Sequence, residues 1–341
     1  MYHLANRATL LWEYLAGKHV LRSKPLHLTI ESTNKCNLAC PMCNRDKDPL
    51  PLGHMPLSRF KSIIDQNRRT LEFIWPFGEG EPLLNENIYE MVRYARDSGV
   101  RVELSTNATM LDESRSRKLL DCGVDNLILA FDGATAASYE KYRAGAKFDW
   151  VKRNIEAFLA FKLKSRARMK VILQMVLLRD NEHETSLFKK MWNRRGVDII
   201  RFKEDQLKYS SIRADIYRPR KERKRLPCFL LWRGSIFIRH DGTVAPCCRF
   251  AGKPPLGDLR KSSFDQFWNS TEMQNIRKAH VSGDLSQYPP CQHCTIPRPN
   301  LLFTIISFLA GPLLISRLLP YVERLQLFKK IPVFQNSYGQ R

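Results

Sequence analysis

Several patterns that would settle a function at once are missing from this 341-residue chain. No uncharged apolar run reaches the roughly twenty residues that cross a bilayer as a helix, since the run from Leu301 to Ser316 has sixteen. The histidines form no His-x3-His pair and the acidic residues form no paired-carboxylate motif, so nothing predicts a hydrolase. No export signal is recognisable, because Arg7 and Glu13 interrupt the first apolar residues. We therefore expect a cytoplasmic, globular protein in a reducing compartment.

Acidic residues are also few, with 34 Asp and Glu against 56 Lys and Arg, which gives a formal net charge of +22. Such an excess attracts phosphates, anionic lipid headgroups and acidic polymers. Nucleic acid is disfavoured as the partner, because no basic strand is interleaved with aromatic residues. An anionic or phosphate-bearing substrate is the partner that the charge favours.

Short β-rich runs alternate with helical patterns along most of the chain, after a predicted N-terminal helix at residues 2–20 within a segment 1–25. Strands are predicted at Leu26–Glu31, Phe73–Phe77, Val100–Ser105, Asn126–Phe131, Lys170–Leu177 and Asp198–Phe202, and helices at 57–69, 86–98, 112–121, 149–164 and 184–194. This alternation implies right-handed βαβ units and a parallel sheet, open or curled into a barrel. Ligands of such sheets bind beyond the carboxyl ends of the strands, so the site is expected in the loops that follow them.

Three cysteines stand in the loop after the first predicted strand: Cys36, Cys40 and Cys43. A structural zinc site needs four ligands, and no fourth cysteine or histidine follows before His54. Three thiolates fit a [4Fe-4S] cluster with one open iron better than they fit zinc. A zinc loop and three unrelated cysteines are the alternatives.

The Cys-x3-Cys-x2-Cys spacing after the first strand of a βα series resembles the signature of the radical SAM superfamily. The resemblance implies an α/β fold with a partial (βα)6 TIM-like barrel over residues 26–207. It also implies that the open iron of this cluster binds S-adenosylmethionine (SAM), and that a reductant such as flavodoxin or ferredoxin supplies the electron that cleaves SAM to a 5′-deoxyadenosyl radical. Met42 stands where the family usually has an aromatic residue against the adenine, and its thioether is expected to cover the ring face.

Two further loops resemble SAM-binding segments of the family. Gly80 and Glu81 lie in a loop similar to its Gly-Gly-Glu-Pro, with Glu79 in place of the first glycine. Gly80 is expected to allow close backbone approach and Glu81 to receive the SAM ammonium group; a turn with a helix-capping acid is the alternative. Ser105 and Asn107 resemble a Thr-Asn-Gly segment near the ribose, or else form an N-cap or Asx-turn.

A third resemblance lies after the fourth predicted strand. Asp132 and Arg143 are similar to an acid and an arginine that help line the SAM or substrate pocket in the family. The alternatives are a turn residue for Asp132 and a surface ion pair for Arg143.

A second group of cysteines follows residue 227. Its spacing, Cys-x13-Gly-x4-Cys completed by Cys-x2-Cys, resembles SPASM or Twitch extensions, which implies one auxiliary [4Fe-4S] cluster in a small cysteine-rich domain over residues 228–296. A hairpin turn is predicted at His240–Thr243. A four-cysteine zinc site is the alternative. The expected ligands are Cys228, Cys247, Cys291 and Cys294.

Two cysteines are left over. Cys122 follows a predicted helix and is expected to be a small buried residue. Cys248 neighbours a predicted ligand, and because related epimerases use a thiol to return a hydrogen atom to the substrate radical, that role is considered for it.

Two segments lie outside the predicted domains. Residues 208–227 are rich in Lys and Arg and are predicted to be a linker. The tail, 297–341, joins the apolar run to Arg317, Arg324, Lys329 and Lys330, as in helices that lie on anionic membranes. Peripheral membrane contact is therefore predicted, and a helix that packs back on the barrel is the alternative.

The motifs together predict a radical SAM enzyme that removes a hydrogen atom from its substrate. The basic linker and the apolar tail favour a lipid-linked sugar, a lipid or a cyclitol as that substrate. The alternative is a maturase of a ribosomally made peptide. An iron-sulfur electron carrier is disfavoured, because a three-cysteine cluster site and SAM-pocket loops would serve no purpose in it.

Overall fold

The computed structural model describes residues 2–43, 45, 50–204, 226–250, 253–292, 294 and 301–310. Its first element is helix α1 (Tyr2–Leu15), which is shorter than the predicted helix. The helix ends because Gly17 is left-handed, with a φ of +62°, and the Lys18 amide donates to the Glu13 carbonyl at 2.8 Å. This hydrogen bond is the one by which a Schellman motif closes a helix.

Six parallel strands follow, at the six places where the sequence predicts them. The strands are β1 (His27–Ile30), β2 (Phe73–Trp75), β3 (Arg101–Thr106), β4 (Asn126–Ala130), β5 (Lys170–Leu177) and β6 (Ile199–Glu204). Each pairs with the next along the chain. Consecutive strands in a parallel sheet require crossover connections, and helices supply them here.

The crossover helices are α2 (Leu57–Asn67), α3 (Ile88–Asp97), α4 (Glu113–Asp121), α5 (Ala136–Tyr142), α6 (Phe148–Ser165) and α7 (Thr185–Trp192). The five predicted helices are confirmed to within two residues at each end. The sequence prediction missed α5, which has seven residues. Its signal is Thr135, whose side chain accepts a hydrogen bond from the Ser138 amide and so caps the helix.

Side chains on each strand alternate between two environments. On β4, Leu129 belongs to the apolar core shared with the helices. Ile128 and Ala130 are also buried but point to the other side of the sheet, into the partial barrel. The register places Ala130 beside Gln174 of β5, and Gln174 beside Arg201 of β6. Polar side chains therefore enter the barrel interior towards the carboxyl ends of its last strands.

The C-terminal cysteine-bearing region extends the same sheet. After α8 (Leu230–Arg233), β7 (Gly234–Ile238) pairs in parallel with β1, β8 (Thr243–Ala245) runs antiparallel to β7, and β9 (Gly257–Asp258) runs antiparallel to β8. The predicted hairpin is confirmed, and Gly242 takes its left-handed position with a φ of +94°. Helices α9 (Phe264–Trp268), α10 (Thr271–Ser282) and α11 (Pro289–Gln292) follow. The predicted domain boundaries at 207 and 228 stay predictions, and most of the predicted linker lies outside the described residues.

The described part of the tail, helix α12 (Leu301–Leu309), packs against α1. Phe308 is buried, with its ring centroid 5.3 Å from that of Tyr14, and Arg7 Nη1 donates to the Leu309 carbonyl at 3.3 Å. Arg7 also binds Glu72, directly before β2, so α1 and α12 lie at the amino ends of the strands. For these residues the alternative of a helix that packs back is confirmed; residues 311–341 lie outside the described part. No helix in the described ranges has both the length and the hydropathy to cross a membrane.

Candidate active site

The first cysteine loop begins at the carboxyl end of β1. Cys36, Cys40 and Cys43 are half-buried thiols, and they are electrostatic neighbours. Burial, with smaller contributions from the charges of Glu79, Cys40 and Cys36, raises the pKa of Cys43 to about 11. A thiol must lose its proton to bind a metal, so an iron centre would remove the charge repulsion that three neighbouring thiolates suffer. The loop therefore fits a cluster that takes one thiolate on each of three irons.

Arg45 holds the backbone of this loop, and sequence reasoning missed it. Its Nη1 donates to the carbonyls of Cys36 at 3.2 Å and Leu38 at 2.8 Å. Its own amide donates to Cys43 Sγ at 3.5 Å. The signal was a basic residue two positions after the third cysteine, which can turn back on a loop rich in unpaired carbonyls.

A buried ion pair supports Cys40 from the other side. Asp132 Oδ2 accepts from Arg143 Nε at 2.8 Å and Nη2 at 2.6 Å, and its Oδ1 accepts from the Val176 amide of β5 at 2.7 Å. Burial raises the pKa of Cys40, and Arg143 opposes that shift through its charge and a hydrogen bond to the thiol. The alternative of a surface ion pair is wrong, because the Asp132 side chain is fully buried. The contact of this pair with SAM or substrate stays a prediction.

The loop after β2 presses against the start of the cysteine loop. A Cβ on Gly80 would lie 2.3 Å from the Thr33 carbonyl oxygen and 2.6 Å from that of Lys35. The Glu81 amide donates to the Lys35 carbonyl at 2.8 Å. Gly80 is thus required for the close backbone approach that was expected of it. The backbone that it approaches is that of Thr33 and Lys35 in this chain.

The Glu81 carboxylate is buried and satisfied within the protein. It accepts from Thr106 Oγ1 at 2.8 Å, from the Asn107 amide at 2.8 Å and from the Leu83 amide at 3.1 Å. Burial raises its pKa against these hydrogen bonds. The last of them caps the 3-10 turn Pro82–Leu84, which is the capping alternative. A bond to the SAM ammonium group stays a prediction.

The segment after β3 reaches the cysteine loop. Asn107 Oδ1 accepts from the Thr109 amide at 2.9 Å, which closes the Asx-turn of the alternative interpretation. Its Nδ2 donates to Asn37 Oδ1 at 3.0 Å and lies 4.0 Å from Cys36 Sγ. Ala108 is left-handed, with a φ of +61°, where the family segment has a glycine. Ser105 is half-buried at the end of β3, and its predicted ribose contact remains a prediction, as does the adenine contact of the half-buried Met42.

The second cysteine group is gathered from three separated elements. Cys228 precedes α8, Cys247 follows β8, and Cys291 and Cys294 lie in and after α11. Burial raises the pKa of Cys247 well above its usual range, and charges on Cys248, Cys228 and Cys291 raise it further. Within the described residues, no three His, Cys, Asp or Glu side chains are arranged as ligands of one metal ion.

The two remaining cysteines differ in environment. Cys122 is buried with 2% of its surface exposed, and its thiol donates to the Leu119 carbonyl at 3.4 Å, which confirms the expected buried residue. Cys248 is exposed, and burial within the surrounding protein still raises its pKa, against the charges of Arg249 and Lys203. Cys248 therefore lies near basic side chains, and Cys248, Arg201, Lys203 and Arg249 are called the basic cluster below. A hydrogen-atom transfer by Cys248 stays a prediction.

Lys203 belongs to this basic cluster, and sequence reasoning missed it. Arg201 and Lys203 are two positions apart on β6, so they share the face that points into the barrel. The pKa of Lys203 is lowered by burial and by the charges of Arg201 and Arg249, although Cys248 and Asp132 oppose this. The signal in the sequence was the alternation of Arg201 and Lys203 across the end of the predicted strand Asp198–Phe202.

Comparison with known proteins finds two family models that match this chain. The family model described as "Radical SAM superfamily" matches residues 30–190, and that of the SPASM iron-sulfur cluster-binding domain matches residues 228–295. An AdoMet-dependent heme synthase of Methanosarcina barkeri is 32% identical over 124 residues, which cover 36% of each protein. Mycofactocin maturase MftC of Mycobacterium tuberculosis is 28% identical over 175 residues, which cover 51% of this chain and 44% of MftC.

Among solved structures, Streptococcus suis SuiB bound to its precursor peptide SuiA superposes with a TM-score of 0.61 at 13% identity, covering 79% of this chain and 70% of SuiB. This likeness shows the fold. Domains of the two matched kinds imply a SAM-binding [4Fe-4S] cluster, SAM and an auxiliary iron-sulfur cluster. Residues 30–190 match the radical SAM superfamily and residues 228–295 match the SPASM domain, so this chain is a radical SAM protein with a C-terminal SPASM iron-sulfur domain.

Proposed function

We propose that this chain cleaves SAM reductively at the first cysteine loop and removes a hydrogen atom from a substrate held inside the barrel. When bound, the cluster and SAM together supply an electron and a 5′-deoxyadenosyl radical. The observation that carries the proposal is the convergence of three barrel loops on Cys36, Cys40 and Cys43. Asn107 comes from the loop after β3, Gly80 from the loop after β2, and the pair of Asp132 and Arg143 from the loop after β4 and its helix.

The residues of the chain have separate tasks in this proposal. Cys36, Cys40 and Cys43 hold the SAM-binding cluster, and Arg143 stabilises the thiolate form of Cys40 through its charge and hydrogen bond. The loop at Gly80 fixes the backbone immediately before Cys36. The four SPASM cysteines hold the auxiliary cluster. A reductant such as flavodoxin or ferredoxin is the expected electron donor.

The test is the formation of 5′-deoxyadenosine and methionine by the reduced, anaerobically reconstituted protein without substrate. Cys40→Ala should abolish it, because losing one thiolate prevents assembly of the cluster that leaves one iron open. Cys122→Ala is the matched control, since it removes a thiol that is buried among apolar side chains and should keep wild-type cleavage. Cleavage by Cys40→Ala at the wild-type rate would contradict the proposal.

The basic cluster at the end of β6 supports an anionic substrate, such as a lipid-linked sugar phosphate. Arg201, Lys203 and Arg249 are electrostatic neighbours there, and the charge of the whole chain has the same sign. Alkylation of Cys248 tests the basic cluster directly, with anionic iodoacetate compared with neutral iodoacetamide. The ratio of the two rates is independent of the thiolate fraction, so Lys203→Gln should lower it and Lys203→Arg should not. An unchanged ratio in Lys203→Gln would contradict an anion-binding role for Lys203.

A peptide is the second candidate substrate. It is favoured by the likeness to a mycofactocin maturase and to SuiB, whose structure contains a precursor peptide. A short gene for a precursor peptide beside the gene of this chain would favour the peptide, whereas neighbouring glycosyltransferase genes would favour the sugar. The decisive measurement is which of the two accelerates SAM cleavage by the purified protein.

Peripheral membrane contact also belongs to the proposal, and α1 and α12 supply its surface. Seven large apolar side chains are exposed on these two helices: Tyr2, Leu4, Trp12, Leu15, Leu301, Ile306 and Leu309. An anionic bilayer is the occupant that fits, because the chain has a net charge of +22. This surface lies at the amino ends of the strands, so docking there would turn the cysteine loop away from the lipid.

A further inference from the structure

The carboxylate of Glu31 lies between two parts of the chain that the sequence separates widely. Glu31 follows β1 directly and has 2% of its surface exposed. Its Oε1 accepts from the Glu79 amide, in the loop after β2, at 3.1 Å. Its Oε2 accepts from the His240 amide at 3.3 Å and lies 3.2 Å from His240 Nδ1, at the turn of the β7–β8 hairpin. One buried carboxylate thus joins the hairpin to the loop that contains Gly80.

Two glycines pack directly against the side chains of Glu31 and His240. A Cβ on Gly78 would lie 2.6 Å from Glu31 Oε1, and a Cβ on Gly53 would lie 2.8 Å from His240 Cδ2. Neither glycine has a positive φ, so the backbone does not require them. The requirement is for room beside the Glu31 and His240 side chains.

The contact between Glu31 and His240 connects two segments, and each segment leads to one of the two cysteine groups. On one side, the loop continues to Glu81, whose amide binds the Lys35 carbonyl beside Cys36. On the other side, the Glu31 amide donates to the Ile238 carbonyl of β7 at 2.8 Å, and β7 leads through the hairpin to β8 and Cys247. The link therefore runs from the SPASM region to the loop that carries the first cluster.

We propose that Glu31 and His240 are positioning residues through which the SPASM hairpin holds the Gly78–Glu81 loop against the first cysteine loop. The assignment rests on the proposed function, since the loop matters because SAM is expected to bind there. An ionised carboxylate makes stronger hydrogen bonds than a neutral group, and a buried one that loses a partner is not rescued by water. The Glu79 amide donates directly to Glu31, so its protection from hydrogen exchange should depend on Glu31 and His240.

The experiment measures hydrogen exchange of the peptide around residues 76–84 in the reconstituted full-length protein, with SAM affinity from equilibrium dialysis. Glu31→Gln should accelerate exchange of the Glu79 amide and weaken SAM binding, each about tenfold, as expected for a lost charged hydrogen bond. His240→Phe should act in the same direction. His240→Asn, whose amide nitrogen takes the place of Nδ1, should show wild-type exchange at Glu79 and wild-type SAM affinity. Iron content should stay at the wild-type value throughout.

Glu13→Gln is the matched control, because Glu13 is also buried and accepts backbone hydrogen bonds from Arg22 and Ser23 at the opposite end of the barrel. It should change neither exchange at Glu79 nor SAM affinity. Unchanged exchange in Glu31→Gln and His240→Phe would overturn the proposal, as would equal effects of Glu13→Gln. If Glu31→Gln fails to fold, Gly53→Ala takes its place, because the added Cβ displaces the His240 ring. Unchanged exchange of the Glu79 amide in Gly53→Ala would also overturn the proposal. A wild-type protein that never cleaves SAM would refute the proposed function. Faster exchange at Glu79 in Glu31→Gln would still support the positioning role in that case.

Discussion

The two ends of the barrel differ in the side chains that they carry. At the carboxyl ends of the strands, polar groups such as Asp132, Glu81 and Glu31 are buried and each is satisfied by several hydrogen bonds. At the amino ends, α1 and α12 leave large apolar side chains exposed and are joined to the sheet by the ion pair of Arg7 and Glu72. Buried polar networks hold a precise arrangement, whereas exposed apolar surface invites association. This difference is the reason why we propose chemistry at one end and docking at the other.

The largest difference between the ends should appear in iron content. With two [4Fe-4S] clusters the reconstituted protein should bind about eight irons. Alanine at Cys36, Cys40 and Cys43 together should lower this to about four, whereas Cys122→Ala, at the amino ends of the strands, should leave about eight. Iron analysis of the three proteins is the measurement, and an iron content that the triple variant retains in full would contradict the assignment of the first loop.

Two glycines give the next comparison. Gly80→Ala forces a Cβ to within 2.3 Å of a backbone oxygen, so the loop must move by about 1 Å and SAM cleavage should fall about a hundredfold. Gly99 follows α3 at the amino ends and has a φ of +81° with no atom within 4 Å of a Cβ. Gly99→Ala should cost about 1–2 kcal/mol of unfolding free energy, because alanine is strained there, without slowing cleavage. Cleavage rates and urea unfolding of both variants test this, and equal losses of activity would remove the distinction.

These contrasts also show what the sequence could predict. The six strands and the Cys36 loop were predictable because β-rich runs, helical periods and cysteine spacing are local signals. The contact between Glu31 and His240 joins residues 209 positions apart, and its loop partner is a backbone amide, so no local pattern encodes it. Arg143 was open to interpretation as a surface residue because burial of an ion pair depends on how β5 supports Asp132. In both cases the deciding contact is tertiary.

A smaller effect should distinguish thiols at the two ends by their response to pH. Burial raises the pKa of Cys122 to about 11, whereas a thiol in the unfolded chain titrates near about 8.5. The folded protein therefore keeps a proton that the unfolded chain loses, and stability should fall as the pH rises from about 8.5 to 11, by about 2–3 kcal/mol. Cys43 has a similarly raised pKa, but a thiolate that holds iron has no proton to lose.

The measurement is the difference in unfolding free energy between wild type and Cys122→Ala across that pH range. The difference should shrink as the pH rises, because only the wild type has this thiol to ionise. Curves that remain parallel from pH 8 to 11 would show that Cys122 titrates alike in both states.

The smallest effect concerns the exposed surface of α1 and α12. Trp12 is 57% exposed on that surface and Trp150 is 55% exposed on α6, so the two form a matched pair. On vesicles of equal phosphatidylglycerol and phosphatidylcholine, Trp12→Ser should weaken binding severalfold, because an indole no longer enters the interface, while Trp150→Ser should not. Added salt should weaken wild-type binding in part, since it screens the basic residues but not apolar insertion. Trp12→Ser should cleave SAM normally if the ends of the barrel are separate. Equal binding by all three proteins would exclude this surface, and a dimer that Trp12→Ser dissociates in gel filtration would identify it as a contact between copies of the chain instead.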